Sequence, residues 1–557
     1  MFARCSRPKG PLLAPGVRLS ERRPLLGRAR APQGQPQASL ASAGEGNFPP
    51  AASESTRGES GRGRDLGFWQ ERLADQLLPL WRLSYEEQLK VKFEVIKKTL
   101  GQFQDRLHKL GATVTEAQGL DDLLQPFIPS PVIDGYRNKS VFSVNQGPDG
   151  RPRTVGFFLR SPGGKRMFCV PADQLRALPS KHLQVAQCYE AFLRQAPPEP
   201  SLDAHQLGPW RRLRVRTSRQ GHTMAILTFH AQGLSQEAIC AQKERAKEFF
   251  MSGQGSVCEL TSLYLKERVT PSCYELLAGE AHMFEDVLDL KLRISPGAFF
   301  PLNTGATEAL LQVVAELGGV DRSTLVLDLS HGTGATGLSL ARRAAQVLSV
   351  RPAGPALEDA WWSAAFHGSG FRGSPKGTAV QICSRLWPGL RISFSSMHVR
   401  RGRGRVCGPS PPWAPLGPPG VKQGDPRRAR EPLPSGPGLP PAEITNWQCR
   451  RQGLEKAVAR LRKAQEAGQA LLALLAPADS GLPPPVIGAL RGCPAIQKLV
   501  FVSGRPHGED METLVRLCSP GTCSQDLGGE PFRLSRAVPV DAAPHTLSAQ
   551  LVLAFTR

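Results

Sequence analysis

The sequence predicts an α/β protein: a mostly parallel sheet covered by helices in the C-terminal half, an α+β domain ahead of it, and a disordered N-terminus. Three observations carry that expectation. After residue 295 short apolar strands alternate with helical stretches, the pattern of a parallel sheet wrapped by helices. Two strand-turn-strand patterns fill the middle of the chain. Residues 1–66 hold too few large apolar side chains to offset the entropy lost on folding.

That first segment carries Arg4, Arg7, Lys9, Arg18, Arg22, Arg23, Arg28 and Arg30 before residue 44, against one acid, Glu21. Arg-rich, acid-poor and lacking a long apolar stretch, it has the composition of a mitochondrial transit peptide, so the expected location is the mitochondrial matrix. A basic tail that stays attached is the alternative. Residues 67–294 form the next unit, an N-terminal helix followed by the α+β domain. Leu89, Phe93, Ile96, Leu100, Phe103 and Leu107 recur in steps of four and three, one apolar stripe on a helix. Lys90, Lys92, Lys97 and Lys98 lie between them and are expected on the solvated face. Strands at 140–146 and 154–160 flank a Gly-Pro-Asp-Gly turn, strands at 211–217 and 223–230 flank Ser-Arg-Gln-Gly, and 237–251 reads as a helix.

The parallel-sheet domain is split into 295–368 and 444–557. Strands are predicted at 324–329, 346–350, 470–475 and 498–503, with a helix through Leu454, Val458 and Leu461. Between the halves lies 369–443, crowded with Pro, Gly and Arg, far longer than an ordinary loop inside a compact domain. Two explanations stay open: a retained intron or mispredicted gene model, or an Arg-Gly RNA-binding loop, as Arg-Gly-Arg-Gly-Arg at 401–405 suggests. Whether messenger RNA joins the codon for Gly368 directly to that for Ile444 separates them.

Of the formal net charge of +22, residues 1–66 hold +6 and residues 369–443 hold +9, which leaves +7 for the folded remainder. A chain this basic is drawn to polyanions, RNA or DNA before a membrane, because no run of about 18 apolar residues is present. The twelve cysteines contain no C-x-x-C pair, the nearest being Cys518 and Cys523, which argues against a zinc ribbon or an iron–sulfur cluster. No metal site is expected, and the thiols read as reduced core residues of an intracellular protein.

Chemistry concentrates at Leu327-Asp328-Leu329-Ser330-His331-Gly332-Thr333-Gly334, a glycine turn between a strand and a helix. Asp328, Gly332 and Gly334 in that context mark a nucleotide-type site, since the glycines let backbone approach a cofactor at the sheet's carboxyl edge. This turn, together with Leu83 to Lys92, Gly135-Tyr136-Arg137-Asn138-Lys139, Val540-Asp541 and Pro544-His545-Thr546, resembles the RNA uracil-C5 methyltransferases, especially their mitochondrial branch. The matching stretches lie hundreds of residues apart in the same order and cover 67–368 and 444–557.

The resemblance implies a Rossmann-like S-adenosylmethionine-dependent methyltransferase domain, an RNA partner (tRNA or mitochondrial rRNA) and a three-part mechanism. A cysteine adds to C6 of uracil, C5 takes the methyl group, and a carboxylate removes the C5 proton. Here the nucleophile's position reads Gly504 in Val502-Ser503-Gly504-Arg505-Pro506, and the base's position reads Gln550. Neither can perform its step. Three cofactor-binding positions are substituted too: Pro301 replaces an amide, Arg351 an acid that accepts from ribose hydroxyls, and Ala476 a polar residue. Tyr136, Arg137, Asn138 and Lys139 are intact and by resemblance lie near the RNA. The expectation is a monomeric family member in which catalysis is lost; a non-catalytic RNA-binding protein is the alternative, and a defective gene product is a third reading.

Overall fold

A computed structural model of the protein describes residues 65–370 and 471–557, apart from 113–118, 163, 165, 196–208, 232, 268–272, 331, 350–354, 477–481, 483, 507 and 521–527. The first 64 residues, most of the 369–443 insert, the helix expected around Leu454 and the cofactor position Arg351 therefore lie outside the described residues.

Helix α1 (Leu66–Leu77) leads into α2 (Tyr85–Lys109). Ser84 and Glu87 start α2 with reciprocal side-chain-to-backbone bonds of 3.3 and 2.9 Å, which satisfy two of the amide groups a helix start leaves orphaned. Then follow α3 (Leu120–Leu123), β1 (Lys139–Asn145), β2 (Thr154–Arg160), β3 (Met167–Val170), α4 (Ser180–Gln195), β4 (Trp210–Thr217), β5 (Thr223–Phe229), α5 (Gln236–Met251), β6 (Ser262–Glu267) and β7 (Cys273–Gly279). The seven strands form one sheet in the order β3-β2-β1-β4-β5-β6-β7. Both predicted hairpins are present in it, pairing β1 with β2 and β4 with β5.

One face of this sheet is apolar and carries α4 and α5. Phe142, Val144, Leu213, Val215, Leu227 and Phe229 pack there with Tyr189, Phe192 and Phe250. Aromatic edges meet faces around Phe192, whose ring centroid is 5.3 Å from that of Trp210.

A small hairpin, β8 (Met283–Val287) with β9 (Leu290–Ile294), leads into the second domain: α6 (Thr304–Gly318), β10 (Leu325–Asp328), α7 (Ala335–Ala341), β11 (Gln346–Ser349), α8 (Pro355–Gly370), β12 (Leu471–Leu475), α9 (Pro484–Arg491), β13 (Ile496–Ser503), α10 (Glu509–Cys518), β14 (Arg533–Val540) and β15 (Gln550–Thr556). The strand order is β11-β10-β12-β13-β15-β14. The first four are parallel; β15 runs against them, and β14, antiparallel to β15, returns to their direction. Buried on both faces, these strands read as continuous apolar runs such as Leu-Leu-Ala-Leu-Leu in β12. Leu325 and Leu327 point into a core shared with α2, α9 and α10, while Val326 points into one shared with α6 and β9. The Rossmann-like α/β architecture predicted from the sequence is thus present.

Helix α2 buries Ile96, Leu100, Phe103 and Leu107 against the parallel sheet and not against the α+β domain beside which it sits in sequence. The apolar stripe is as predicted. Lys92 is not, because it is fully buried where a solvated lysine was expected.

Candidate active site at the carboxyl edge of the parallel sheet

Four parallel strands end on one side of the sheet, and the glycine turn lies just beyond β10. Gly332 and Gly334 have φ of 96° and 94°, values that side-chain-bearing residues rarely adopt, and α7 begins at the next residue. The Asp328 carboxylate, fully buried, accepts from the Ser330 amide at 2.9 Å, from the Ser330 hydroxyl and from the Ser349 hydroxyl at 2.8 Å. Its acceptor capacity is directed at the turn and at β11. The Phe299 ring lies over the turn, so that a Cβ placed on Gly332 would meet it at 3.2 Å, yet Phe299 remains 59% exposed.

The other positions gather at the same edge. Ala476 follows β12 directly, and Gly504 follows β13. The antiparallel register pairs Ser503 with Leu551, which sets Gly504 across from Gln550, the first residue of β15. The nucleophile and base positions expected from the resemblance are therefore neighbours across two hydrogen-bonded strands. Nothing at Gly504 demands glycine: its φ is not left-handed, and an added Cβ would have no heavy atom within 4 Å. Pro301 sits in the segment between β9 and α6, where its carbonyl accepts from Asn138 Nδ2 at 2.7 Å. The geometry brings four of the five positions to one edge or its flanking loop, and none of the four bears a thiol, a carboxylate or a side-chain amide able to serve the reaction as the family uses it.

The segments that carry the resemblance meet in a buried polar seam. Lys92 Nζ, from α2, donates to Asp541 Oδ1 at 2.6 Å, and neither side chain is accessible to solvent. Burial pulls the Lys92 ammonium down, opposed by the Asp541 charge. Tyr85 donates to the other oxygen of Asp541 at 3.0 Å while accepting from the Ser130 amide at 2.7 Å. Gln88 binds the His545 amide at 2.7 Å and approaches His545 Nδ1 at 3.1 Å, and His545 Nε2 reaches Asp134 Oδ1 at 2.7 Å. These partners require the Nε2–H tautomer if Gln88 donates. They also hold His545 at φ 67°, a left-handed conformation unusual for a residue with a side chain.

Residues 136–139 play different parts. Tyr136 is a core residue whose hydroxyl donates to the Pro544 carbonyl at 3.3 Å, and burial pushes it up to about 12. Asn138 latches the segment before α6, bonding Pro301 O and, at 3.0 Å, Thr304 Oγ1. Arg137 and Lys139 are cations that are mostly buried. Asn303, in the same segment, caps α6 by accepting from the Ala306 amide at 3.0 Å and donates to Ser130 Oγ at 3.0 Å.

Sequence reasoning passed over Arg214 and Arg216 on β4, although Arg-Leu-Arg-Val-Arg alternates visibly from Arg212 to Arg216. Arg216 is buried and donates to the Ala298 carbonyl; Arg214 donates to Pro296 O at 3.3 Å. Cys169, Cys188, Cys240, Cys258, Cys493 and Cys518 form no disulfide, and among the described residues no cluster of metal-binding side chains occurs. No helix among those residues is long and apolar enough to cross a membrane.

No family model matches the chain. A tRNA (uracil-5-)-methyltransferase homolog B from Pongo abelii is 44% identical over 502 residues, 88% of each sequence, and the Danio rerio homolog B is 35% identical over 88% of this chain and 87% of its own. Human tRNA (uracil-5-)-methyltransferase homolog A is 30% identical, covering 87% of this chain and 68% of the relative. A solved tRNA (uracil-54, C5)-methyltransferase of Pyrococcus abyssi, in complex with S-adenosyl-L-homocysteine, aligns with 86% of this chain and 85% of its own at 16% identity and a TM-score of 0.48. The chain-length identity to the homolog B proteins matches the order of the motifs and the seam they build, and the chain belongs to the tRNA (uracil-5-)-methyltransferase family.

Proposed function

We propose that this chain is an RNA-binding member of its family in which methyl transfer is lost, with tRNA or mitochondrial ribosomal RNA as its partner. One observation carries the reading: the register that sets Gly504 across from Gln550 assembles the reaction edge and leaves it without a thiol or a carboxylate. Removing a nucleophile costs on the order of a millionfold in rate. S-adenosylmethionine, the family's methyl donor, does not fit the side chains found here. The glycine turn retains the backbone geometry such a cofactor needs, but Pro301 supplies no side-chain amide and Ala476 no polar group. Losing such hydrogen bonds costs roughly 1.5 to 3 kcal/mol each when charge is involved, enough together to weaken binding by hundreds.

RNA binding is supported by the family, by the retained Arg137 and Lys139, and by a folded region that stays net positive. Filter binding with tRNA transcripts across a salt series, paired with calorimetric titration of S-adenosylmethionine, tests both halves. Affinity for RNA that falls steeply with salt, together with no saturable cofactor binding, is the expected result. Tight cofactor binding would overturn the loss, and absence of RNA binding would overturn the rest. Import into mitochondria is part of the same proposal, resting on the composition of 1–66; a reporter fused to those residues that stays cytosolic would overturn it.

A further inference from the structure

The seven-stranded sheet has a second face, opposite the core packed by α4 and α5. Residues directly opposite on antiparallel strands share a face, so the register defines it. Met167 stands opposite Arg160 on β3 and β2, with Phe158 next to Arg160 on the same side. Ser143 on β1 faces Gly156 on β2 and Arg212 on β4, Val141 faces Arg214, and Lys139 faces Arg216. The positions so defined on β3, β2, β1 and β4 include no acid. Phe158, Met167 and Val141 are 39, 43 and 36% exposed, and Arg160 and Arg212 are exposed beside them.

At the inner end the character changes from open to enclosed. Arg214 and Arg216 reach the backbone of residues 296 and 298, which leads to Phe299 over the glycine turn. Lys139 is held down to about 8 by burial and by the neighbouring charges of Arg216, Arg214 and Arg137, with no acid among the causes. Arg137, Lys139, Arg214 and Arg216 enter no ion pair among the described residues, and the buried Nε atoms of Arg137 and Arg216 have no hydrogen-bond partner. Asp359 acts on Arg216 from a distance, its carboxylate being bonded to Arg293 and Ser295, and four crowded cations with so little counter-charge cost free energy that a bound anion returns.

We propose that this face is a track for one unpaired RNA strand, with phosphates seated on Arg160, Arg137, Lys139 and Arg214, in front of the buried Arg216, and bases laid against Phe158 and Met167. The assignment rests on the RNA-binding reading above and names where that RNA lies. Exposed aromatic and thioether groups level with a sheet face need bases free of a duplex to stack on them, and the arginines flanking them match a phosphodiester backbone.

The test uses the full chain and a labelled twelve-nucleotide single strand, with a hairpin of the same length as comparison. Phe158→Ala and Arg160→Ala alter exposed side chains, and Lys247→Ala removes an equal charge from α5 on the opposite face. Phe158→Ala is expected to weaken binding about fivefold or more, from the loss of one stacked base. Arg160→Ala is expected to lower the log–log salt slope by about 0.7, and Lys247→Ala to change neither. Photocrosslinked nucleotide should map to the peptides holding Phe158 and Met167. If the chain binds RNA and both face variants match the unaltered chain, the track is wrong while the RNA reading stands. If the chain binds no RNA, both fall. If sedimentation shows a dimer that Phe158→Glu dissociates, the face is an interface between copies and the track is overturned.

Discussion

The buried seam and the reaction edge lie in the same domain and have opposite fates. At the seam, Tyr85, Gln88, Lys92, Asp541 and His545 come from segments more than four hundred residues apart, and they bond one another with the donors and acceptors each requires. At the edge, the backbone is equally well formed, but Gly504, Gln550, Pro301 and Ala476 bring no matching chemistry. The contrast separates the demands of folding from those of catalysis. A buried charge whose partner is lost is expensive at every moment of the protein's life, whereas an exposed position with open space around it, like Gly504, puts no such demand on its side chain.

The largest effect should therefore appear at the seam. Asp541→Ala leaves the Lys92 ammonium buried without its carboxylate and is expected to cost about 3 to 5 kcal/mol in urea denaturation. The double variant Lys92→Met with Asp541→Leu should recover much of that loss, since replacing both partners by apolar groups removes the uncompensated charge. A cost under about 1 kcal/mol for the single variant would remove the distinction between the two regions.

A smaller effect should appear in the pH dependence of RNA binding. Burial holds Lys139 down to about 8, together with the charges of Arg216, its partner across β4, of Arg214 on the same strand, and of Arg137 just before β1. Phosphate favours the charged form, so affinity is fully present below that value and falls as pH rises through it, by up to tenfold per unit. Lys139→Arg keeps its charge across the range and should flatten the profile between pH 7 and 9. A profile unchanged by that substitution would show that Lys139 does not meet RNA.

The smallest effect is expected at the edge. Gly504→Cys should alter stability by no more than about 0.5 kcal/mol, because the φ is permissive and the new side chain meets nothing. A loss above about 2 kcal/mol would mean that glycine is required there for folding.

Much of the fold was legible from periodicity. The predicted strands at 324–329 and 498–503 compare with Leu325–Asp328 and Ile496–Ser503, and both middle hairpins fall within a residue or two of their predicted limits. Alternation and the 3.6-residue repeat are local, so a short window suffices to read them. Lys92 shows where such reading stops: on the helix it flanks the apolar stripe, and only a partner 449 residues away makes its burial tolerable. Asn138 is similar, since nothing near it in sequence says that its amide latches the segment before α6. At the candidate site, the resemblance supplied the positions of Gly504 and Gln550, while their pairing across β13 and β15 needed the sheet register.

The central claim is that the edge is assembled but chemically empty, and transfer of labelled methyl groups from S-adenosylmethionine to uracil in RNA measures it most directly. Effects of residues acting as one unit do not add, so Gly504→Cys alone should remain inactive, with Gln550 still unable to take the C5 proton and Pro301 and Ala476 still unable to hold the cofactor. A chain carrying Gly504→Cys, Gln550→Glu, Pro301→Gln, Arg351→Asp and Ala476→Asn, with 369–443 removed, is the one expected to gain methyl transfer. The unaltered chain should give no signal above a no-enzyme control; methylation well above that control would contradict the account and show that the reacting groups lie elsewhere.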